Sequence, residues 1–215
     1  MRPLLLGHRG SRCSRSVPEN TFAAFDLALE HGCDGFEFDV RLTGDGFGVV
    51  SHGPRFGGIP ISGQAVSRLR GLPRLEAVLE RYSHCAFLDI ELKESGIEPR
   101  LLQLLARLPP KKGFVISSFL PGVLLKLRRL DECVPLALIC GNRLQLRRWR
   151  ELPIETVVAH QSLVTRRLLS AVHDAGKTFW VWTVNRGSAM IRLTDWRVDG
   201  LISDSTDVLA QTLGG

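Results

Sequence analysis

GFEFDVRL, residues 35–42, decides how the rest of the chain is read. Phe36, Phe38 and Val40 alternate with Glu37, Asp39 and Arg41, the period of two that a β-strand imposes. One face is apolar and needs cover. The other sets two carboxylates two residues apart, about 6.5–7 Å along the strand. At about 6 Å and an effective dielectric near 20 such a pair repels by roughly 2–3 kcal/mol, so the charged face needs a reason to exist.

Working outward, short apolar runs alternate with helical patterns. PLLLGHRG (3–10) reads as the strand before, and NTFAAFDLALEHG (20–32) as a helix capped by Asn20 and closed by Gly32. FGVVSH (47–52) returns from GFEFDVRL through TGDG (43–46), a hairpin-like turn. Downstream strands are predicted in AFLDIELK (86–93), GFVISSF (113–119), PLALIC (135–140), TVVAH (156–160), TFWVWTVN (178–185) and DGLISD (199–204). Helices are predicted in RLEAVLERY (74–82), IEPRLLQLLARLP (97–109), PGVLLKLRRLDE (121–132), RLQLRRWREL (143–152), TRRLLSAVHDAG (165–176) and SAMIRLTDW (188–196). Strand–helix alternation approaching eight units predicts an α/β fold with a parallel sheet closed as a (β/α)8 TIM barrel, residues 1–215 forming one domain. An open doubly wound sheet ranks second, because no GxGxxG follows the first strand.

Composition narrows the class. With 44% hydrophobic and 23% charged residues, 215 residues suffice for a large core in a soluble chain. The apolar run of MRPLLLGHRG ends at once and no stretch is long enough to span a bilayer, which places the chain in the cytoplasm without an integral membrane segment. The five cysteines are odd in number and form no CxxC, against a disulfide framework or structural zinc; Cys33, Cys85 and Cys140 read as small core residues. The net charge of +6 falls largely on helical stretches such as RLQLRRWREL, where Arg143, Arg147 and Arg150 share one face. Such a run reads as a solvated helix face, and no nucleic-acid-binding motif accompanies it. Oligomeric state is not set by these features.

In a barrel the active site lies at the C-terminal strand ends, and polar residues gather there. The first strand ends in His8 and Arg9, the second carries Glu37 and Asp39, FGVVSH ends in His52, and AFLDIELK sets Asp89, Glu91 and Lys93 on one face. One reading is a buried ion-pair network in which Arg9, Arg41 and Lys93 neutralise the acids. The other is a divalent cation: carboxylate oxygens without a nearby thiolate suit Mg²⁺ or Ca²⁺. His8 and His52, each closing a strand, suit a general acid and a general base. His31, His84 and His173 are weaker candidates, and His160 reaches a pocket only by virtue of ending a strand.

At these residues the sequence resembles the glycerophosphodiester phosphodiesterase family. The matching pieces are GHRG (7–10), PENT (18–21), GFEFDV (35–40), TGDG with VVSH (43–52), DIELK (89–93), VWTVN (181–185) and DGLISD (199–204), in order over nearly the whole chain. The resemblance implies a TIM barrel and metal-dependent hydrolysis of glycerophosphodiesters to sn-glycerol 3-phosphate and an alcohol. It implies metal binding by Glu37, Asp39 and Glu91, acid/base roles for His8 and His52, phosphate binding by Arg9 and Lys93, a pocket wall at Trp182, and support from Glu19 and Asn20. Alternatives within that resemblance are a barrel phosphodiesterase acting on lysophospholipids or other phosphodiesters, or a catalytically weak phosphate-binding homologue. Two features depart from the family pattern: Gly53 stands where an Asp usually follows the second histidine, and the segment after it, GPRFGGIPISGQAVSRLRG (53–71), reads as a short loop in place of a longer insertion.

Overall fold

The computed structural model describes residues 2–13 and 16–214. Strand β1 (Leu4–His8) leads through α1 (Phe22–Glu30) to β2 (Gly35–Leu42), which turns back into the short β3 (Gly48–Val50). A small hairpin of β4 (Arg55–Phe56) and β5 (Ile59–Pro60) precedes α2 (Leu75–Tyr82). Regular strand–helix units follow: β6 (Phe87–Leu92) with α3 (Glu98–Arg107), β7 (Phe114–Ser118) with α4 (Pro121–Leu130), and β8 (Leu136–Cys140) with α5 (Arg143–Leu146). The last three are β9 (Thr156–His160) with α6 (Arg166–His173), β10 (Thr178–Trp182) with α7 (Gly187–Asp195), and β11 (Gly200–Ser203) with α8 (Thr206–Leu213).

The sheet runs β1-β11-β10-β9-β8-β7-β6-β2, and β1 also pairs with β2, so eight parallel strands close into a barrel. Strand β3 joins this sheet antiparallel, paired to the upper half of β2 with Val40 opposite Val50. The expected barrel is therefore the observed one.

Strand alternation sorts the core into two shells. Phe36, Phe38 and Val40 of β2 join Leu88, Ile90 and Leu92 of β6 in the large cluster between barrel and helices. Leu6, Val115, Ala137, Ile139, Val158, Trp180 and Ile202 fill the barrel itself. Large side chains inside are matched by absent ones: a Cβ on Gly200 would come within 2.7 Å of the Trp180 ring. Above this apolar plug the inward positions become polar. Register sets His8 beside Glu37 and Glu37 beside Asp89, with Asp39 beside Glu91 and Glu91 beside Ser117 one step higher.

Local structure departs from expectation at five places. Helix α1 is capped by Thr21, whose Oγ1 accepts from the Ala24 amide at 3.2 Å, not by Asn20, which is buried at φ +60° and donates to the Asp39 carboxylate. RLQLRRWREL does not make one helix: α5 is a single turn capped by Asn142, and a 3₁₀ turn over Arg147–Arg150 follows. Trp149 in that turn and Leu152 just beyond it are both buried, and Pro153 disfavours helical backbone at the residue before it. Residues 53–71 hold more structure than a loop, with a hairpin and two 3₁₀ turns laying Ile61, Val66 and Leu69 against Val49. Cys33 and Cys140 are buried, but Cys85 is exposed just beyond the end of α2. Helix α8, not foreseen, completes the eighth unit by burying Thr206 and Leu209.

Candidate active site

HRG and PENT build one wall together. Arg9 (φ +57°) and Gly10 (φ +80°) bend the chain sharply after β1; a Cβ on Gly10 would meet the Ala24 backbone at 2.6 Å. The bend aims the Arg9 amide at Glu37 Oε2, 2.8 Å away, and returns the Arg9 carbonyl to the Asn20 amide at 3.0 Å. Asn20 then grips Asp39 twice: its Nδ2 donates to Asp39 Oδ2 at 2.7 Å, and its Oδ1 accepts from the Asp39 amide at 3.2 Å. Glu19 holds the Arg9 guanidinium at 2.8 Å and Arg12 at 2.9 Å. Glu19 and Asn20 thus hold one cationic side chain, Arg9, and one carboxylate, Asp39.

Glu37, Asp39 and Glu91 come together as expected. All three are buried, and each offers a carboxylate oxygen lying within 4.8 Å of the other two. Asp39 is fully buried between two cations, with Arg9 Nε at 3.2 Å and Lys93 Nζ at 3.1 Å. Lys93 also donates to Glu91 at 2.6 Å. Glu37 Oε1 is buried with no hydrogen-bond partner among the described residues, although its other oxygen is satisfied. Three carboxylates this close, one with an oxygen that no described residue donates to, form an all-oxygen donor set that could hold a divalent cation. Arg41 takes no part in neutralising these acids. Its Nε and Nη2 donate to the His52 carbonyl at 3.1 and 2.8 Å, and its Nη1 lies 3.8 Å from Glu94.

Burial and mutual repulsion divide the acids. Glu37 is raised well above the usual carboxylate value by burial, then by Asp39 and Glu91. Glu91 is pushed up to about 7 by burial and Asp39. Asp89, donated to by Ser117 Oγ at 2.5 Å, is pushed up to about 7 chiefly by burial. Asp39 goes the other way: burial opposes ionisation, but Lys93 and Arg9 outweigh it. The three raised carboxyls keep protons that an unfolded chain releases near pH 4, so the folded state binds more protons between about pH 5 and 8 and its stability falls as pH rises. His52, lowered, works in the opposite sense but is a single group. Without divalent ions the melting temperature is expected to drop by about 5 °C or more from pH 5 to pH 8, and a divalent cation should offset the drop. A flat calorimetric profile would show that the acids are not held protonated.

The histidines flank this nest. His8 is buried, and its Nδ1 meets Asp204 Oδ1 at 2.7 Å. His52 is exposed at the rim; partial desolvation, then Arg9, lowers its pKa from the ordinary histidine value. Both line a cavity of about 110 Å³ together with Arg9, Glu37, Asp89, Glu91, Lys93 and Trp182. Trp182 stands 6.2 Å, ring to ring, from His8 and 5.6 Å from Phe119. His160 packs edge-on against Trp182 and bonds Ser162. His31 and His173 bond Thr206 and Asp199 away from the cavity. Asp204 was not foreseen as a site residue. The signal was present, since it follows the last strand as His8 ends the first, and barrel closure makes those strands neighbours.

The model of the glycerophosphoryl diester phosphodiesterase family matches this chain over residues 8–69 and 61–208. The chain belongs to that family. The glycerophosphodiester phosphodiesterase of Caldanaerobacter subterraneus subsp. tengcongensis is 31% identical to it, over 97% of both chains. Among solved structures, a phosphodiesterase from Oleispira antarctica, in complex with the product sn-glycerol-3-phosphate, superposes with a TM-score of 0.88 at 23% identity, covering 100% of this chain and 98% of that one. The glycerophosphodiester phosphodiesterase of Thermotoga maritima gives 0.82 at 25% identity, covering 98% of each. Every motif through which the sequence resembles this family, from HRG to DGLISD, contributes a residue to the barrel mouth or to the strand that carries one. In line with the absence of a predicted span, no helix among the described residues is long and apolar enough to cross a membrane.

Proposed function

We propose that this member of the phosphodiesterase family hydrolyses glycerophosphodiesters to sn-glycerol 3-phosphate and an alcohol, with residues 1–215 acting as one catalytic domain. The observation that carries the reading is the convergence on one cavity of the buried Glu37, Asp89 and Glu91, two cationic side chains and two histidines, with an oxygen of the fully buried Asp39 within 4.8 Å of Glu37 and Glu91. Glu37, Asp39 and Glu91 would hold a divalent ion, Mg²⁺ or Ca²⁺, and the bare Glu37 Oε1 and the all-oxygen donor set fit one. When bound, such an ion supplies Lewis acidity toward a phosphoryl oxygen.

The chain's own residues do the rest. Arg9 and Lys93, anchored by Glu19 and Glu91, hold positive charge where the phosphate's charge develops. His52, kept neutral by partial desolvation and Arg9, is the proton acceptor for the attacking oxygen, whether water or the glycerol 2-hydroxyl. That leaves His8 to protonate the departing alkoxide. Asp204 holds its Nδ1, so Nε2 is the nitrogen free for the exchange. Gly53 leaves the position after His52 without a side chain, and the Arg41 fork on the His52 carbonyl fixes that backbone instead. Trp182 walls the pocket beside Phe119. The test is a coupled assay for glycerol 3-phosphate released from glycerophosphocholine, glycerophosphoethanolamine and a lysophospholipid, with Mg²⁺, Ca²⁺ or chelator. Ion-dependent release is the expected result; turnover untouched by chelator would sink the metal assignment, and phosphate binding without turnover would leave a phosphate-binding homologue.

A further inference from the structure

Large apolar side chains stand in solvent at six places among the described residues, and four of these flank the mouth of the cavity. Phe56 (37% exposed) lines a groove with Glu19, Asn20 and His52. Ile59 (51%) pairs with Phe56 across the β4–β5 hairpin. Leu120 (43%) follows Phe119, a wall of the cavity. Leu144 (76%) projects from α5, one turn past Gly141, where a Cβ would touch Phe119 and Trp182 at 3.7 and 3.9 Å. Four exposed tips at one end of a barrel are not the scatter of single apolar residues found on any surface.

Charge follows the same segments. Residues 53–71 carry Arg55, Arg68 and Arg70, residues 141–150 carry Arg143, Arg147, Arg148 and Arg150, and neither stretch contains Asp or Glu. All seven are exposed, and the contacts they make are to carbonyls and a ring: Arg55 to Gly58, Arg70 to Ser67, Arg150 over Trp149. Arg143, Arg147 and Arg150 edge an open groove of about 480 Å³ floored by Leu146, Leu163 and Leu168.

We propose that this rim docks onto a bilayer surface that carries anionic lipid. Ile59 and Leu144 enter the interface, and the arginines lay their stems along it with guanidinium groups at the phosphates. Three of the four tips are aliphatic and only Phe56 offers a ring on which a base could stack, with no row of aromatics for successive bases, which argues against nucleic acid. A second copy would bring seven like charges against seven, which argues against self-association. Docking this end turns the cavity mouth toward the lipid, where diesters bearing acyl chains are presented. Binding is read without turnover, so the surface stands or falls apart from the hydrolytic reading.

The experiment is co-sedimentation with vesicles of phosphatidylcholine alone and of phosphatidylcholine mixed with phosphatidylglycerol. The protein should sediment with the mixed vesicles and not with the neutral ones. Arg143→Gln with Arg147→Gln should weaken partitioning about 30-fold, at about 1 kcal/mol per arginine near the surface. Ile59→Asp with Leu144→Asp should weaken it at least as much while leaving the melting temperature and turnover of a water-soluble diester unchanged. Absence of sedimentation with the anionic vesicles overturns the proposal, and so does binding that ignores the Ile59 and Leu144 changes. Retention on an oligonucleotide, or a concentration-dependent dimer, lost in those same variants with no vesicle binding, would assign the rim to another occupant and equally overturn it.

Discussion

Glu37→Gln is expected to lower kcat/KM on a glycerophosphodiester by about 10³-fold and to remove its dependence on a divalent cation, without unfolding the protein. The side chain is 3% exposed and one oxygen accepts from the Arg9 amide, an interaction that the amide oxygen of Gln retains. Its second oxygen is the bare atom of a carboxylate grouped with Asp39 and Glu91, and it is this atom that the substitution changes from acceptor to donor. In the chain without metal that exchange relieves repulsion, so the variant should melt at or above the wild-type temperature, with an advantage that grows as pH rises and the raised carboxyls ionise. Adding Mg²⁺ or Ca²⁺ should raise the melting temperature of the wild type and not that of the variant, because only an ion bound preferentially by the folded state stabilises it. A structural ion-pair network makes the opposite forecast. Removing the Glu37 charge would then leave the Arg9 guanidinium less compensated, lower the melting temperature, and leave the wild type indifferent to chelator. Melting curves and rates on the same two proteins separate these outcomes.

The fold was legible wherever a strand obeyed the period of two and a helix followed it. GFEFDVRL shows why: its outward residues enter the core between barrel and helices, while on the inward face Glu37 lines the cavity and Asp39 lies buried within reach of it, so one pattern states both packing and site. The strand ends were legible for the same reason, since chemistry at the C-terminal end of a barrel needs polar side chains where core would otherwise be. What escaped were decisions made by distant partners. Asn20 carries the signature of a helix cap, and Thr21 beside it carries the same one; only the location of Asp39, 19 residues on, frees Asn20 to hold a carboxylate. Arg41 shares a face with Glu37 and Asp39, yet β3 returns beside it and offers the His52 carbonyl instead. Cys85 follows an apolar helix but lies past its last buried residue. The arginines of 143–150 read correctly as solvated, whereas their grouping with Leu144 and Ile59 around the mouth requires the closed barrel.

His8→Ala should reduce kcat by about 10³-fold, and Asp204→Asn by about 10²-fold, with KM changed far less in both. The first figure is the scale of a lost general acid. The second follows from the hydrogen bonds that Asp204 makes. Its Oδ1 accepts from His8 Nδ1 at 2.7 Å and from Arg12 at 3.0 Å, while its Oδ2 accepts from Asn185 Nδ2 at 2.9 Å. Burial opposes ionisation here, but these donors win and bring the carboxyl to about 2, so three acceptor positions persist across the working pH range. The amide that replaces it has one acceptor atom. If that amide turns its oxygen to His8, its NH₂ confronts the NH₂ of Asn185; if it turns its oxygen to Asn185, it points a donor at His8 Nδ1 and at Arg12. Either choice loosens the ring, and the second forces the single proton onto Nε2 and holds the ring neutral, and a neutral imidazole N–H is a far weaker acid than the imidazolium that a general acid requires. A purely structural role for Asp204 would show as a lower melting temperature with an unchanged pH profile. A positioning role moves the profile of kcat, leaves the melting temperature within a few degrees, and spares substrates whose leaving group is acidic enough to depart unprotonated. Comparing p-nitrophenyl and alkyl diesters on wild type, Asp204→Asn and His8→Ala reads this directly: the aryl ester should recover most of the lost rate in both variants, and equal losses on both esters would remove His8 from the role of general acid.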